Sequence, residues 1–148
     1  MGTLDNDYAV PYCIERIKDG KTETRQILDR YFSKLTDKDE ITETLASLLE
    51  NDEIIYDFQK FAVIRWLFQT EVQTDAVVST VREELRQGFS LKETENYAMA
   101  YLGNHGNEAD WEYIKERYTG SRDRVQKSVM LMSIRHMEES MRRSCRIW

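Results

Sequence analysis

A small residue recurs in the same hydrophobic setting, and this recurrence constrains the fold more than any other feature of the chain. Ala62, Ala98 and Ser128 each lie inside an apolar segment, at steps of 36 and 30 residues. A period of about 20 to 50 residues is typical of repeat proteins, in which neighbouring units bury each other's hydrophobic faces. The spacing therefore predicts a stack of helix pairs.

A second set of spacings supports the same interpretation. Two groups of apolar residues recur at steps of 33 residues: Leu45, Val78 and Trp111, and Leu48, Val81 and Ile114. These positions fall in the predicted first helix of successive pairs. One helix pair cannot bury its apolar stripes alone, so the pairs are expected to pack against each other.

Glycines and capping residues divide the chain into about eight helices. Gly20, Gly88 and Gly120 are predicted to end three of them. Residues suited to begin helices precede several others: Pro11 in a first turn, Thr22, Asp37 or Asp39, Thr74, Ser90 with Glu93 in a capping box, and Ser121. Helix four is predicted over about Ile54–Gln69, and 102–107 is predicted as a turn. The stretch 8–13 is the one plausible strand.

Composition fits a helical protein. The chain has 148 residues with one proline and six glycines, too few turn formers for a sandwich or barrel. We expect a single domain over 1–148. Its first pair, at 9–36, matches the pattern weakly, the clearer repeats cover 39–138, and a basic tail occupies 139–148.

The sequence also bears on localisation. No apolar run approaches the roughly 18 residues of a membrane span, and the N-terminus has no signal-peptide pattern. Cys13 and Cys145 lie in unrelated contexts, as expected for reduced thiols. We expect a cytoplasmic protein that does not contact a membrane.

The segment 96–132 resembles HEAT repeats. Ala98, Leu102, Gly103 and Gly106 match the end of a repeat's second helix and its turn, and Asp123-Arg124-Val125 resembles the start of the next second helix. The resemblance covers residues 39–138. It implies an all-α, right-handed α-α superhelix of four antiparallel helix pairs, whose second helices line a concave face that contacts protein or nucleic acid.

A second resemblance is to the C-terminal helical accessory region of bacterial reverse transcriptases used in antiphage defence. It is carried by residues 54–60, followed by the apolar helix that contains Trp66. The Tyr-x-Asp-Asp metal motif of the polymerase is absent from the sequence. The resemblance therefore implies a bacterial, non-catalytic domain that binds nucleic acid.

Catalytic chemistry has little support. The two histidines, His105 and His136, have no partner at metal-ligand spacing, and no phosphate-binding glycine motif occurs. The acidic clusters at 37–40 and 51–53 are interpreted as helix starts. Some HEAT-like proteins excise alkylated DNA bases with Trp and Asp residues, but Trp66 and Trp111 align with core positions. We expect neither a catalytic residue nor a metal or other cofactor.

Candidate binding residues fall into two groups. The predicted second helices supply groove candidates: Lys60, Arg65, Asn96, Tyr97 and Tyr101. Arg65 interrupts an apolar run, and we expect it either to pair with a carboxylate such as Glu95 or to face a ligand. Tyr97 and Tyr101 lie one turn apart and share a helix face, as core residues or as interface anchors.

The second group is basic and lies near the C-terminus. From Lys115 onward there are nine basic and four acidic residues, a net charge of +5, against −11 for the first 114 residues. The candidates are Arg122, Arg124, Lys127, Arg135, Arg142 and Arg143. They are expected either to be solvated or to contact phosphate or an acidic protein surface, including that of a second copy.

Taken together, these features indicate an interaction module or scaffold that is not an enzyme and that binds a protein partner or a domain of a parent protein. The alternative is a nucleic-acid-binding accessory domain, and a HEAT-like base-excision enzyme is a remote third.

Overall fold

A computed structural model describes residues 6–20, 24–30, 38–54, 56–70 and 74–146, with side chains for all of these except 6–9, 38 and 144–146. Within these ranges the chain is entirely helical and contains no strand. The helices are α1 (Asn6–Asp19), α2 (Thr24–Arg30), α3 (Lys38–Glu50), α4 (Asp57–Thr70), α5 (Asp75–Gln87), α6 (Lys92–His105), α7 (Glu108–Gly120) and α8 (Arg124–Arg146). The predicted all-α fold of about eight helices is confirmed.

The helices pack in two layers. Each of α1, α3, α5 and α7 contacts the helix that follows it. Helices α2, α4, α6 and α8 also pack side by side in one layer, and α3 packs beside α5 in the other. The α6–α8 contact is the most extensive. The second helix of each predicted pair therefore contributes to one continuous surface. No described helix is long and apolar enough to span a bilayer.

Several predicted helix ends are confirmed. Gly20 and Gly88 terminate α1 and α5 with positive φ angles of 71° and 94°, the left-handed region that glycine adopts readily. Thr74 caps α5, and its hydroxyl accepts a hydrogen bond from the N–H of Val77 at 3.3 Å. Asn107 caps α7 in a capping box with Asp110. These ends depend on local chemistry, which a sequence displays directly.

Other predicted helix starts are wrong. Helix α6 begins after Leu91, which makes no side-chain cap, so the predicted capping box of Ser90 and Glu93 is absent. Helix α8 begins after Asp123, whose carboxylate accepts the N–H of Gln126 at 2.9 Å, and Ser121 only hydrogen-bonds the N–H of Asp123. Thr22 and Asp37 lie outside the described residues.

The predictions for four further segments also need correction. Pro11 lies inside α1 and not in its first turn, and the possible strand at 8–13 belongs to the same helix. Helix α4 begins at Asp57, and α6 continues to His105, which shortens the predicted turn. The acidic segment 51–53 follows the end of α3, where Asp52 adopts a φ of 54°, so it does not start a helix.

The repeat register differs from the predicted one. Ala62 and Ala98 are buried, but Ser128 is exposed and its hydroxyl bonds the carbonyl of Arg124. Residues buried at corresponding points of α4, α6 and α8 recur at steps of 35 and 32: Gln59, Thr94 and Gln126; Val63, Ala98 and Met130; Leu67, Leu102 and Ile134. The recurrence is therefore present, with Val63 and Met130 in the places predicted for Ala62 and Ser128.

The set of apolar residues predicted to recur at steps of 33 in the first helices is confirmed in part. Leu48, Val81 and Ile114 are all buried, whereas Val78 and Trp111 are only half-buried. The indole N–H of Trp111 donates to Glu138 at 3.4 Å, and the ammonium of Lys115 lies 3.2 Å from the centre of the indole ring. Trp111 therefore lies at the edge of the core, where it joins α7 to α8.

Candidate binding groove

A shallow apolar groove crosses the layer formed by α4, α6 and α8. It consists of two adjoining cavities of about 260 and 230 Å³. Phe68 of α4, Ala100 of α6 and Val129 of α8 line both cavities, so the two form one continuous depression. Met132 of α8 borders the groove with 71% of its surface exposed. An exposed apolar surface of this kind marks a contact site more often than an isolated exposed side chain does.

The packing of α6 against α8 sets the shape of the groove. A Cβ atom on Gly103 would lie 2.8 Å from the Cβ of Ser133, so the absence of a side chain permits the close approach of the two helices. The ring N–H of His136 at Nδ1 donates to the carbonyl of Gly103 at 2.9 Å. These contacts hold α8, which forms one side of the groove, against α6.

Tyr97 forms a second fixed wall. Its ring centre lies 5.7 Å from that of Phe61 and 5.5 Å from that of Phe68, both on α4. Such edge-to-face and tilted arrangements are favourable for aromatic pairs. Tyr97 is half-buried and lines the groove.

Asn96 brings a polar group to this apolar surface. It lines the same cavity as Tyr97, and its Oδ1 atom is enclosed without a hydrogen-bond partner among the described residues. A buried acceptor without a donor costs about 1 to 3 kcal/mol. Asn96 is therefore the groove residue best suited to accept a hydrogen bond from a bound partner.

The basic residues of α8 differ in their contacts. Arg124, Arg135 and Arg142 are exposed, and their spacings of 11 and 7 residues are about three and two helical turns. They form a stripe roughly 27 Å long. Lys127 follows Arg124 by three residues, and its ammonium lies 4.9 Å from the ring centre of Tyr118. Lys127 therefore contacts α7.

The two remaining basic candidates also differ in their surroundings. Arg143 donates to Glu139 at 2.8 Å, one turn earlier on α8, so part of its charge is already compensated. Arg122 is exposed just before α8 begins. Of the six predicted basic candidates, only Arg143 forms an ion pair with a described residue, and Arg124, Arg135 and Arg142 are the unpaired ones that align along α8 as the arginine stripe.

Three predicted groove residues lie outside the groove. Tyr101 is fully buried, and burial raises the pKa of its phenol to about 12. Lys60 lies near Glu84 of α5, and its charge acts on that carboxylate. Arg65 lines a separate cavity of about 130 Å³ between α2 and α4, together with Arg25 and Asp29.

The predicted pairing of Arg65 with Glu95 is absent. Glu95 instead accepts hydrogen bonds from Arg117 at 2.6 Å and from the side-chain amide of Gln126 at 3.2 Å. This cluster joins α6, α7 and α8. Two of its members, Glu95 and Arg117, are 14% and 30% exposed at their side chains, so it is a largely buried tie between the last three helices.

The side chains suited to base excision are buried or are bound by other side chains of the protein. Trp66 is 5% exposed, and Asp110 is 1% exposed with both carboxylate oxygens bound by Arg82. His105 packs against the ring of Tyr101, and His136 bonds the Gly103 carbonyl. Among the residues that the structure describes, no three His, Cys, Asp or Glu side chains are grouped closely enough to hold a metal ion.

Sequence reasoning missed most of the groove lining. Phe68, Ala100 and Val129 were not singled out, because each was hidden in an apolar helix pattern. The signal becomes visible once the burial register is known, since these residues flank the buried positions Leu67, Met99 and Met130. No family model, curated protein or solved structure matches this chain.

Proposed function

We propose that this chain is a non-enzymatic helical-repeat interaction module that binds a protein partner in the groove of α4, α6 and α8. The observation that carries the proposal is the continuous apolar surface of Phe68, Ala100 and Val129, bordered by the exposed Met132. The paired helices and recurring burial pattern support a HEAT-like, right-handed superhelix, in which this layer is the concave face.

The chemistry of the groove favours an amphipathic helix as the bound element. Helices dock in grooves through apolar anchors repeating every three to four residues. The arginine stripe on α8 is roughly 27 Å long, about the length of an 18-residue helix. A partner helix with an apolar face and an acidic edge would therefore match both the groove and the stripe.

The engagement of the candidate catalytic residues in the fold supports a binding role. Asp110 is bound by Arg82, and Trp66 is buried, so neither side chain is presented to a substrate. The buried Cys13 thiol has its pKa raised by burial, which lowers its nucleophilicity at neutral pH. A cytoplasmic setting fits this reduced thiol.

A matched pair of variants tests the proposal. Ala100→Arg places a long charged side chain in the groove, whereas Ala109→Arg makes the same change at an exposed position of α7. A displayed library of acidic amphipathic helices is selected against the wild-type protein, and each selected peptide is measured with all three proteins. We expect Ala100→Arg to weaken binding at least about tenfold and Ala109→Arg to leave it unchanged. Equal binding to all three would contradict the groove assignment.

A second candidate function, nucleic-acid binding, is favoured by the arginine stripe alone. Three aligned arginines without ion pairs suit the phosphates of a nucleic acid. This candidate would place the chain as an accessory domain of a bacterial defence polymerase.

Anisotropy with single- and double-stranded DNA and RNA distinguishes the two functions. Affinity should fall steeply as salt rises, and each lost phosphate contact should reduce the log–log slope by about 0.7 to 0.9. The variant Arg124→Ala/Arg135→Ala/Arg142→Ala is compared with a control of the same charge on α1 and α2, Arg16→Ala/Arg25→Ala/Arg30→Ala. If the two variants bind alike, or the wild type fails to bind at low salt, the stripe is not a nucleic-acid site.

A further inference from the structure

A polar cavity lies on the α3 and α5 layer and shares no residue with the groove. Its volume is about 310 Å³, at the lower end of the range for small-molecule sites. It is lined by Glu50, Ser79, Thr80, Glu83, Glu84 and Gln87. Three carboxylates therefore line one cavity that is partly open to solvent and contains no basic side chain in its lining.

Glu84 is the unusual member of this lining. It is only 6% exposed, yet no basic group among the described residues lies within 4 Å of its carboxylate, and none of them donates a hydrogen bond to it. The nearby Thr80 hydroxyl donates to the backbone carbonyl of Ala76 instead. Buried carboxylates are normally paired, because an isolated buried charge is costly.

The electrostatic surroundings of Glu84 are incompletely compensated. Burial raises the pKa of its carboxyl group. Lys60 on α4 acts in the opposite direction, while the negative charges of Asp52, Glu83 and Glu50 add to the effect of burial. A cation entering the cavity would relieve both the desolvation of Glu84 and the repulsion from its neighbours.

The spacing of the carboxylates does not favour a single metal ion as the ligand. No group of three acidic, histidine or cysteine side chains in the described part of the chain is arranged to hold one metal ion. A larger organic cation with several N–H donors can instead reach carboxylates that stand apart. The carboxylates of Glu50 and Glu83 and the hydroxyl oxygens of Ser79 and Thr80 provide further acceptors around it.

We propose that this cavity binds an organic cation bearing a guanidinium or primary ammonium group, with Glu84 as its buried counter-ion. The same chemistry occurs in free polyamines and in the arginine or lysine side chains of a protein. The cavity lies on α3 and α5, whereas the groove lies on α4, α6 and α8. A negative result for cation binding would therefore leave the groove assignment unaffected, and the reverse also holds.

Calorimetric titration of the full chain tests the proposal with three probes: spermidine, N-acetylarginine amide and tetramethylammonium. The first two carry N–H donors, whereas tetramethylammonium carries a charge and no donor. We expect saturable binding of at least one of the first two and none of tetramethylammonium. Tighter binding of spermidine would indicate a free polyamine as the ligand, and tighter binding of the arginine amide would indicate a protein side chain.

Two isosteric variants complete the test. Glu84→Gln and Glu108→Gln remove the same charge, but Glu108 is exposed at the start of α7. Glu84→Gln should weaken binding at least about tenfold, the usual effect of losing a charge-assisted hydrogen bond, while Glu108→Gln should not alter it. Circular dichroism verifies that both variants are folded. Absence of saturable binding, equal binding of tetramethylammonium, or equal losses in the two variants would overturn the proposal.

Discussion

The ion pair between Arg82 and Asp110 should be among the strongest single ties in the molecule. The Asp110 carboxylate accepts hydrogen bonds from Arg82 at 2.8 and 2.9 Å, and one of its oxygens also accepts the backbone N–H of Asn107 at 2.9 Å. Its side chain is 1% exposed, and that of Arg82 is 27% exposed. The pair joins α5 to the first turn of α7, so its removal perturbs both helices.

The expected magnitude follows from this burial. Replacing Arg82 with Met keeps the aliphatic volume but leaves a buried carboxylate without its cation, a change that typically costs 3 to 5 kcal/mol. Because water reaches part of the Arg82 side chain, the lower end applies, about 3 kcal/mol. For a chain of this length that corresponds to a fall of roughly 10 °C in Tm. Asp110→Leu should cost a similar amount, since it also removes the hydrogen bond that Asp110 accepts from the backbone N–H of Asn107 in the capping box of α7.

A double-mutant cycle measured by urea denaturation isolates the interaction. With Arg82→Met and Asp110→Leu, we expect the double variant to be more stable than the summed single losses predict, by about 2 kcal/mol. The control is the pair Glu139–Arg143, which has the same N–O distance of 2.8 Å but side chains 58% and 75% exposed. Its coupling should stay below about 0.5 kcal/mol. Equal coupling in the two cycles would refute the reasoning that burial sets the strength.

Three further measurements test the packing and the buried groups. Gly103→Ala should destabilise the protein by about 2 kcal/mol in thermal unfolding, because the new Cβ would lie 2.8 Å from that of Ser133. Gly120→Ala meets no atom within 4 Å and should change stability by less than about 1 kcal/mol, and a loss equal to that of Gly103→Ala would argue against the close approach. Burial raises the pKa of Glu84 above its ordinary value near 4.5, so its contribution to stability is present below that value and is lost as pH rises through the folded pKa. Glu84→Gln should therefore stabilise the chain by about 1 kcal/mol at pH 7 and not at about pH 4, and an advantage independent of pH would count against this explanation. In a Cys145→Ser background, Cys13 should react with a disulfide reagent at least about a hundredfold more slowly when native than in denaturant, since burial raises its pKa and limits access; rapid native labelling would contradict that.

The helices could be predicted better than their caps. Gly20 and Gly88 end helices through their own φ angles, which is a local property. The observed starts of α6 and α8 differ from the predicted ones, because α6 begins after Leu91 without a side-chain cap and α8 begins after Asp123. Helix α8 is capped by Asp123 and not by Ser121. The Asp123 carboxylate also accepts a hydrogen bond at 3.2 Å from the ammonium of Lys92, at the start of α6.

The groove was only partly predictable for a related reason. Tyr97 and Tyr101 lie one turn apart, and we expected both to be core residues or both to be interface anchors. In the structure Tyr97 lines the groove, whereas Tyr101 is fully buried. Helix α8 packs closely against the C-terminal part of α6, where Gly103 lets the two backbones approach. Two residues on one helix face therefore differ in burial, which the spacing within α6 alone does not determine.

The helical fold, the recurrence of buried positions and the excess of positive charge near the C-terminus could be predicted from the sequence, because helix periodicity and charge are properties of the chain itself. The pairing of polar residues could not, since it depends on how the helices pack. The tertiary structure paired Arg82 with Asp110 and Glu95 with Arg117, left Glu84 without a partner in its cavity, and opened the groove beside Phe68. The burial of a side chain and its ion pairs depend on the residues of the neighbouring helix. Which residues of that helix lie opposite cannot be read from the sequence of one helix alone.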